Sequence, residues 1–135
     1  MSPFFFILAA EGLGRYIRSS THSSHLKGLH IWGNDLCITH QQFVDDIMLL
    51  YAVSLREVKK IKGILNLFME ASGTQINKEK SYTFFFNTTG NVKTYLTRIL
   101  AFCLSDLPTK YLGTPLALNP LKMANWQQII EKLKN

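Results

Sequence analysis

Two adjacent carboxylates, Asp45 and Asp46, stand between the apolar runs Phe43-Val44 and Ile47-Met48-Leu49-Leu50-Tyr51. Runs rich in Phe, Val, Ile and Leu, parted by a two-residue polar break, read as a β-hairpin with both carboxylates at its tip. A bare Asp-Asp pair is not a favoured turn dipeptide, because two like charges then lie side by side next to an apolar surface. A divalent cation relieves that repulsion. Magnesium takes carboxylate oxygens and keeps water or phosphate among its ligands, so the chemistry the pair suits is phosphoryl transfer. Spacing by itself is described more simply as an ordinary solvated turn.

His22, His25, Cys37 and His40 have zinc-finger-like spacing. In an extended strand, however, Cys37 and His40 point to opposite faces and cannot grip one ion, so a polar loop and strand residues are expected there instead. Arg56, Lys59, Lys60 and Lys62 recur along one helical face. A solvated face is preferred to a nucleic-acid contact for them.

Further blocks join the Asp pair in a fixed order. Phe43-Val44-Asp45-Asp46 resembles the Tyr/Phe-x-Asp-Asp box of reverse transcriptases, with Phe opening the box as in the non-LTR, LINE-type retrotransposon branch. Ser2-Pro3-Phe4-Phe5-Phe6-Ile7-Leu8-Ala9-Ala10-Glu11-Gly12-Leu13 resembles the helix after that family's Gln-Gly-Asp-Pro-Leu segment. Gly73-Thr74-Gln75-Ile76-Asn77-Lys78-Glu79-Lys80-Ser81 is similar to its Gly-x-x-Ile-Asn-x-x-Lys-Ser block, and Lys110-Tyr111-Leu112-Gly113-Thr114-Pro115-Leu116 to its Tyr-Leu-Gly block.

The resemblance implies an α+β fold, an antiparallel sheet with helices packed on it, as a partial reverse-transcriptase palm over residues 1–120. A thumb-like helical segment is expected to begin at 121–135. It further implies RNA-directed DNA synthesis by two-metal nucleotidyl transfer, with Mg2+ as cofactor and an RNA template, a DNA primer and a deoxynucleoside triphosphate as partners. Asp45 matches the better metal ligand and Asp46 the secondary one. Lys80 matches a lysine near the incoming nucleotide, though an exposed turn lysine describes it equally well. Tyr111, Leu112 and Gly113 match the hairpin that holds the primer end. The family also needs an upstream Asp, the Gln-Gly-Asp-Pro segment and a fingers subdomain, none of which this sequence contains. The chain therefore reads as a fragment, inactive alone and dependent on the missing part. The alternatives are a non-catalytic basic module that binds nucleic acid, a truncated remnant without activity, and a structural protein with a sticky exposed surface.

The elements that must position these residues follow from pattern. Ser2-Pro3 opens a helix whose apolar run from Phe4 to Leu13, with Tyr16 and Ile17, predicts burial on most of its surface. A Ser-rich loop over 19–25 is expected to follow, then a strand at Leu29-His30-Ile31-Trp32, a turn at Gly33-Asn34-Asp35, and a second strand from Cys37 to Val44. Three antiparallel strands would then meet near the Asp pair. Ser54-Leu55-Arg56-Glu57 is a capping box, and Leu55, Val58, Ile61, Leu65 and Phe68 recur at helical spacing until Gly73. A turn over 76–81 leads to a strand from Tyr82 to Phe86, whose aromatic run predicts burial on both faces. Asn91 caps a helix through Val92, Leu96, Ile99 and Leu100. Tyr111-Leu112-Gly113 reads as a short strand, with Gly113 allowing close approach or a turn. Trp126, Ile129, Ile130 and Leu133 mark a last amphipathic helix.

With 135 residues, one domain is the working expectation. A hydrophobic share of 47% against 18% charged residues excludes a disordered chain. A net charge of +6 suits a nucleic-acid-facing surface and is also common on ordinary soluble proteins. Cys37 and Cys103 are too far apart in sequence to suggest a disulfide scaffold and read as buried small apolar residues of a reduced, intracellular protein, nuclear or cytoplasmic. No basic residue precedes the Phe4 to Ala10 run, so secretion is not expected, and no stretch reaches the ~18 apolar residues of a membrane span.

Overall fold

The computed structural model describes residues 3–23, 26–31, 36–117 and 122–134. The fold is α+β, with four helices and small two-stranded ladders among the described residues. The expected cap at Ser2, His25 of the histidine–cysteine group, Trp32, the turn at 33–35 and the boundary at 120/121 lie outside the described residues.

α2, Leu55–Ser72, is the helix most fully specified by its own sequence. Ser54 sits in extended backbone and its hydroxyl accepts from the Glu57 amide at 3.1 Å, filling one of the free donors of the first turn. Gly73 closes the helix at a φ of +68°, where a Cβ would be strained. Val58, Ile61, Ile64 and Leu65 form the buried stripe. Leu55, assigned to that stripe from spacing, is exposed. Glu57 does not complete the reciprocal capping box. Its carboxylate is 5% exposed, and Oε2 accepts from the backbone N–H of Lys27 at 3.0 Å, pinning the approach to the first strand against the start of α2.

α1, Pro3–His22, contributes Leu13 and Ile17 to the core, one turn apart, facing Ile61, Ile64 and Leu65 of α2 and Leu26 of the following segment. Burial over most of this helix is not what the structure has. Phe4, Phe5, Ile7 and Leu8 are exposed, because α2 covers only the C-terminal half. The Ser-rich loop also shrinks. The helix runs on to His22, and at its end the Ser23 amide and hydroxyl both donate to the otherwise free Ser19 carbonyl.

β1 (Leu29–Ile31) pairs antiparallel with β2 (Leu36–Ile38), and β3 (His40–Phe43) with β4 (Asp46–Leu49). The single strand expected from Cys37 to Val44 is interrupted at Thr39, whose carbonyl accepts from Leu50 at 2.9 Å. Only β3 and β4 meet at the Asp pair, so the expected three-strand meeting there is replaced by two ladders, joined through the Gly28–Tyr51 bridge and a bond from Ala52 to the Lys27 carbonyl. Ile47, Leu49 and Tyr51 lay this unit on the core.

Beyond α2, a 3₁₀ turn, Lys78–Lys80, precedes β5 (Tyr82–Thr83), which pairs parallel with β6 (Cys103–Leu104) around α3 (Gly90–Leu100). The expected strand to Phe86 is cut to two residues, and Tyr82 and Phe86 are exposed rather than buried, since the ladder has a single partner. Thr89, not Asn91, occupies the cap of α3 and makes no side-chain bond. Both cysteines are free and exposed, not buried: the ladders that carry them are two strands wide and leave one face open. β7 (Thr109–Tyr111) and β8 (Thr114–Leu116) form a further hairpin, and α4 (Met123–Lys134) follows.

Candidate functional site

Register decides how the Asp pair is presented. His40 opposes Leu49, Gln41 opposes Met48, Gln42 opposes Ile47 and Phe43 opposes Asp46. Opposed residues share a face, and side chains alternate along each strand. Gln42 and His40 therefore lie with the core-packed Ile47 and Leu49, while Asp46 emerges on the outer face beside Phe43. The turn is Val44-Asp45, one residue earlier than the apolar pattern implied, because Val44 leaves the strand with a φ of +51°. Asp45 sits in the turn itself and Asp46 opens the return strand. Both are exposed, and among the described residues no ion pair or side-chain hydrogen bond engages either of them.

Tyr111 lies close enough to feel this hairpin. Its hydroxyl is buried without a partner, and burial first, then the charge of Asp46, raises its phenol above the ordinary range. Leu112 and Gly113 are not strand residues. Both have positive φ, +51° and +80°, and form the two-residue turn between β7 and β8 that a right-twisted hairpin favours. Asp46 and Tyr111, more than sixty residues apart in sequence, are thus near enough for the carboxylate charge to act on the phenol.

Lys80 is held elsewhere. Asn77 Oδ1 accepts from the Glu79 and Lys80 amides at 3.1 and 3.2 Å, and the exposed turn rests on β6 through Cys103 Sγ, 3.8 Å from the Lys78 and Glu79 carbonyls. No ion pair joins Lys80 to Asp45 or Asp46 among the described residues.

Asp45 and Asp46 offer the hard oxygen donors magnesium takes. Among the described residues, no group of three His, Cys, Asp or Glu side chains comes together to hold an ion. Among the described residues the donor set is thus incomplete for two ions, since two carboxylates leave most coordination positions to water. Cys37 and His40 fall on different strands, either side of the Thr39 break.

A polar group that spacing did not single out lies on the other side of the hairpin. Thr39, 8% exposed, bonds His40 Nδ1 at 2.9 Å, and His40 packs against α1 at Gly14 beside Arg18. Burial, then the Arg18 charge, holds the His40 imidazole below its usual range. The sequence signal was Gly14 and Arg18, one turn apart on α1, but only the packing of β3 gives that spacing a meaning.

No protein-family model and no solved structure matches this chain. Among the described residues, no helix is long and apolar enough to cross a membrane.

Proposed function

We propose that this chain is a palm-region portion of a LINE-type RNA-directed DNA polymerase, contributing Asp45 and Asp46 to a magnesium-dependent nucleotidyl-transfer centre. The observation that carries the reading is an exposed Asp pair at a hairpin turn, unpartnered among the described residues, with Asp46 near enough to Tyr111 for its charge to act on the phenol. Four sequence blocks in the family's order support it. RNA template, DNA primer and deoxynucleoside triphosphate are the corresponding partners, Mg2+ the cofactor, and a further carboxylate must join the pair before two ions can be held. The 135-residue chain therefore does not extend a primer by itself.

Primer extension on a primed RNA template with magnesium tests this, comparing the chain with Asp45→Asn. No product from either is expected. Product from the native chain that disappears in Asp45→Asn would overturn the inactivity and demand that the missing ligand come from this chain.

A second reading, a basic module that binds nucleic acid without catalysis, is favoured by the net charge of +6. It predicts binding that weakens steeply with salt and is unchanged in Asp45→Asn.

A further inference from the structure

Between α1 and the inner face of β3 lies an open cleft of about 380 Å³. That volume is within the ~300–1,000 Å³ range of small-molecule sites. Phe6, Ile7 and Val44 give it an apolar wall. At its polar end, two nitrogens converge over Gly14. A methyl group at Gly14 would lie 3.3 Å from His40 Nε2 and 3.8 Å from Arg18 Nη2, so both nitrogens come close to the α1 backbone at this end of the cleft.

Neither nitrogen is firmly engaged. His40 is fixed through Nδ1 by Thr39, and Nε2 has no hydrogen-bond partner among the described residues. The tautomer in which the Thr39 hydroxyl donates to Nδ1 puts the ring hydrogen on Nε2. Arg18 reaches Glu11 Oε1 only at 3.5 Å, whereas Arg15 takes the same oxygen at 2.9 Å. Glu11 is thus neutralised chiefly by Arg15, which leaves the Arg18 guanidinium available.

We infer that this cleft binds a monocarboxylate with an apolar body, the carboxylate meeting Arg18 and His40 at the Gly14 end and the body lying against Phe6, Ile7 and Val44. An anion there meets two N–H donors, one of them permanently charged, and replaces the weak Glu11 contact. The inference is independent of the polymerase reading, since Asp46 emerges on the opposite face of the hairpin.

Calorimetric titration of the full chain with octanoate, with octanamide and with a blocked peptide ending in a free leucine carboxylate tests it. Octanoate or the peptide is expected to bind at least about tenfold more tightly than octanamide, and Arg18→Gln to weaken that binding about tenfold. Which of the two carboxylates binds better identifies the source as a free acid or a chain terminus. Glu11→Gln, which removes the internal competitor, leaves binding intact or tightens it. Arg18 is 55% exposed at its side chain, so its replacement leaves the fold in place, and a melting curve checks this. Gly14→Ala, whose methyl would press on His40 Nε2 at 3.3 Å and displace the ring from the cleft, provides an independent loss. Equal binding of octanamide, native affinity in folded Arg18→Gln, or no saturation with either carboxylate would overturn the proposal.

Discussion

Two single positions carry backbone constraints that their neighbours cannot absorb. Gly28 lies under the first hairpin, where a Cβ would sit 2.7 Å from Cys37 Sγ and Thr39 Cγ2 and 2.8 Å from the Ile38 carbonyl oxygen. Since that last neighbour is backbone, Gly28→Ala is expected to lower stability by about 1–3 kcal/mol, read from the urea midpoint. An unchanged midpoint would mean the two ladders can move apart freely. Val44 is the opposite case. It is a β-branched residue at a φ of +51°, a region that costs an L-residue roughly 1–2 kcal/mol and that Asn tolerates better. Val44→Asn is therefore expected to raise stability by roughly 1 kcal/mol. A lower urea midpoint would show that the Val44 side chain contributes more through the cleft wall than its backbone costs. The residue that turns the chain toward Asp45 is thus unfavourable for a turn, a conflict of the kind functional sites retain.

At the scale of elements, the contact of α1 with β3 sets a pH response. His40 is packed against Gly14, with Arg18 and Glu11 on the α1 side, Thr39 beside it and Gln42 next on its own strand face. Its folded pKa lies below the ordinary value, so the unfolded chain takes the proton first. Stability from this source is complete above about pH 6.5 and is lost as the pH falls below it. Tyr51 acts at the other end. Burial, followed by the Glu57 charge, raises its phenol, and stability that is complete below about pH 10 declines as pH rises further. Denaturation midpoints across pH should fall on both limbs, with His40→Gln flattening the acid limb and Tyr51→Phe the alkaline one. A limb unchanged by its substitution would assign that loss to other groups. α2 was legible because its signals are local: a serine cap, a terminal glycine and a 3.6-residue stripe specify it without reference to the rest of the chain. The aromatic run at Tyr82 to Phe86 misled because burial of a strand depends on how many partners it acquires, and β5 has one.

For the whole molecule, the decisive feature is an apolar surface that no described residue covers. Phe4, Phe5, Ile7 and Leu8 are all more than half exposed along the first turns of α1, and Phe43 and Val44 add to the exposed apolar surface at the hairpin turn. Exposed apolar clusters of this kind drive association. The purified chain is expected to self-associate without nucleic acid, and the double substitution Phe5→Glu, Leu8→Glu to shift it toward monomer in sedimentation while leaving its circular dichroism unchanged. A native chain that remains monomeric at high concentration would show that this surface is tolerated by water alone.

The sequence by itself determined what is local. The four helices, the hairpin around the Asp pair and the stop at Gly73 follow from caps, periodicity and turn residues acting over a few positions. Tertiary structure decided which faces are covered and which distant groups meet. The break at Thr39, the exposure of both cysteines and of the start of α1, Glu57 holding Lys27, and the action of the Asp46 charge on Tyr111 all depend on which elements come together across long stretches of chain. A hydrophobic pattern states that a face prefers burial. Only packing determines whether a partner reaches it.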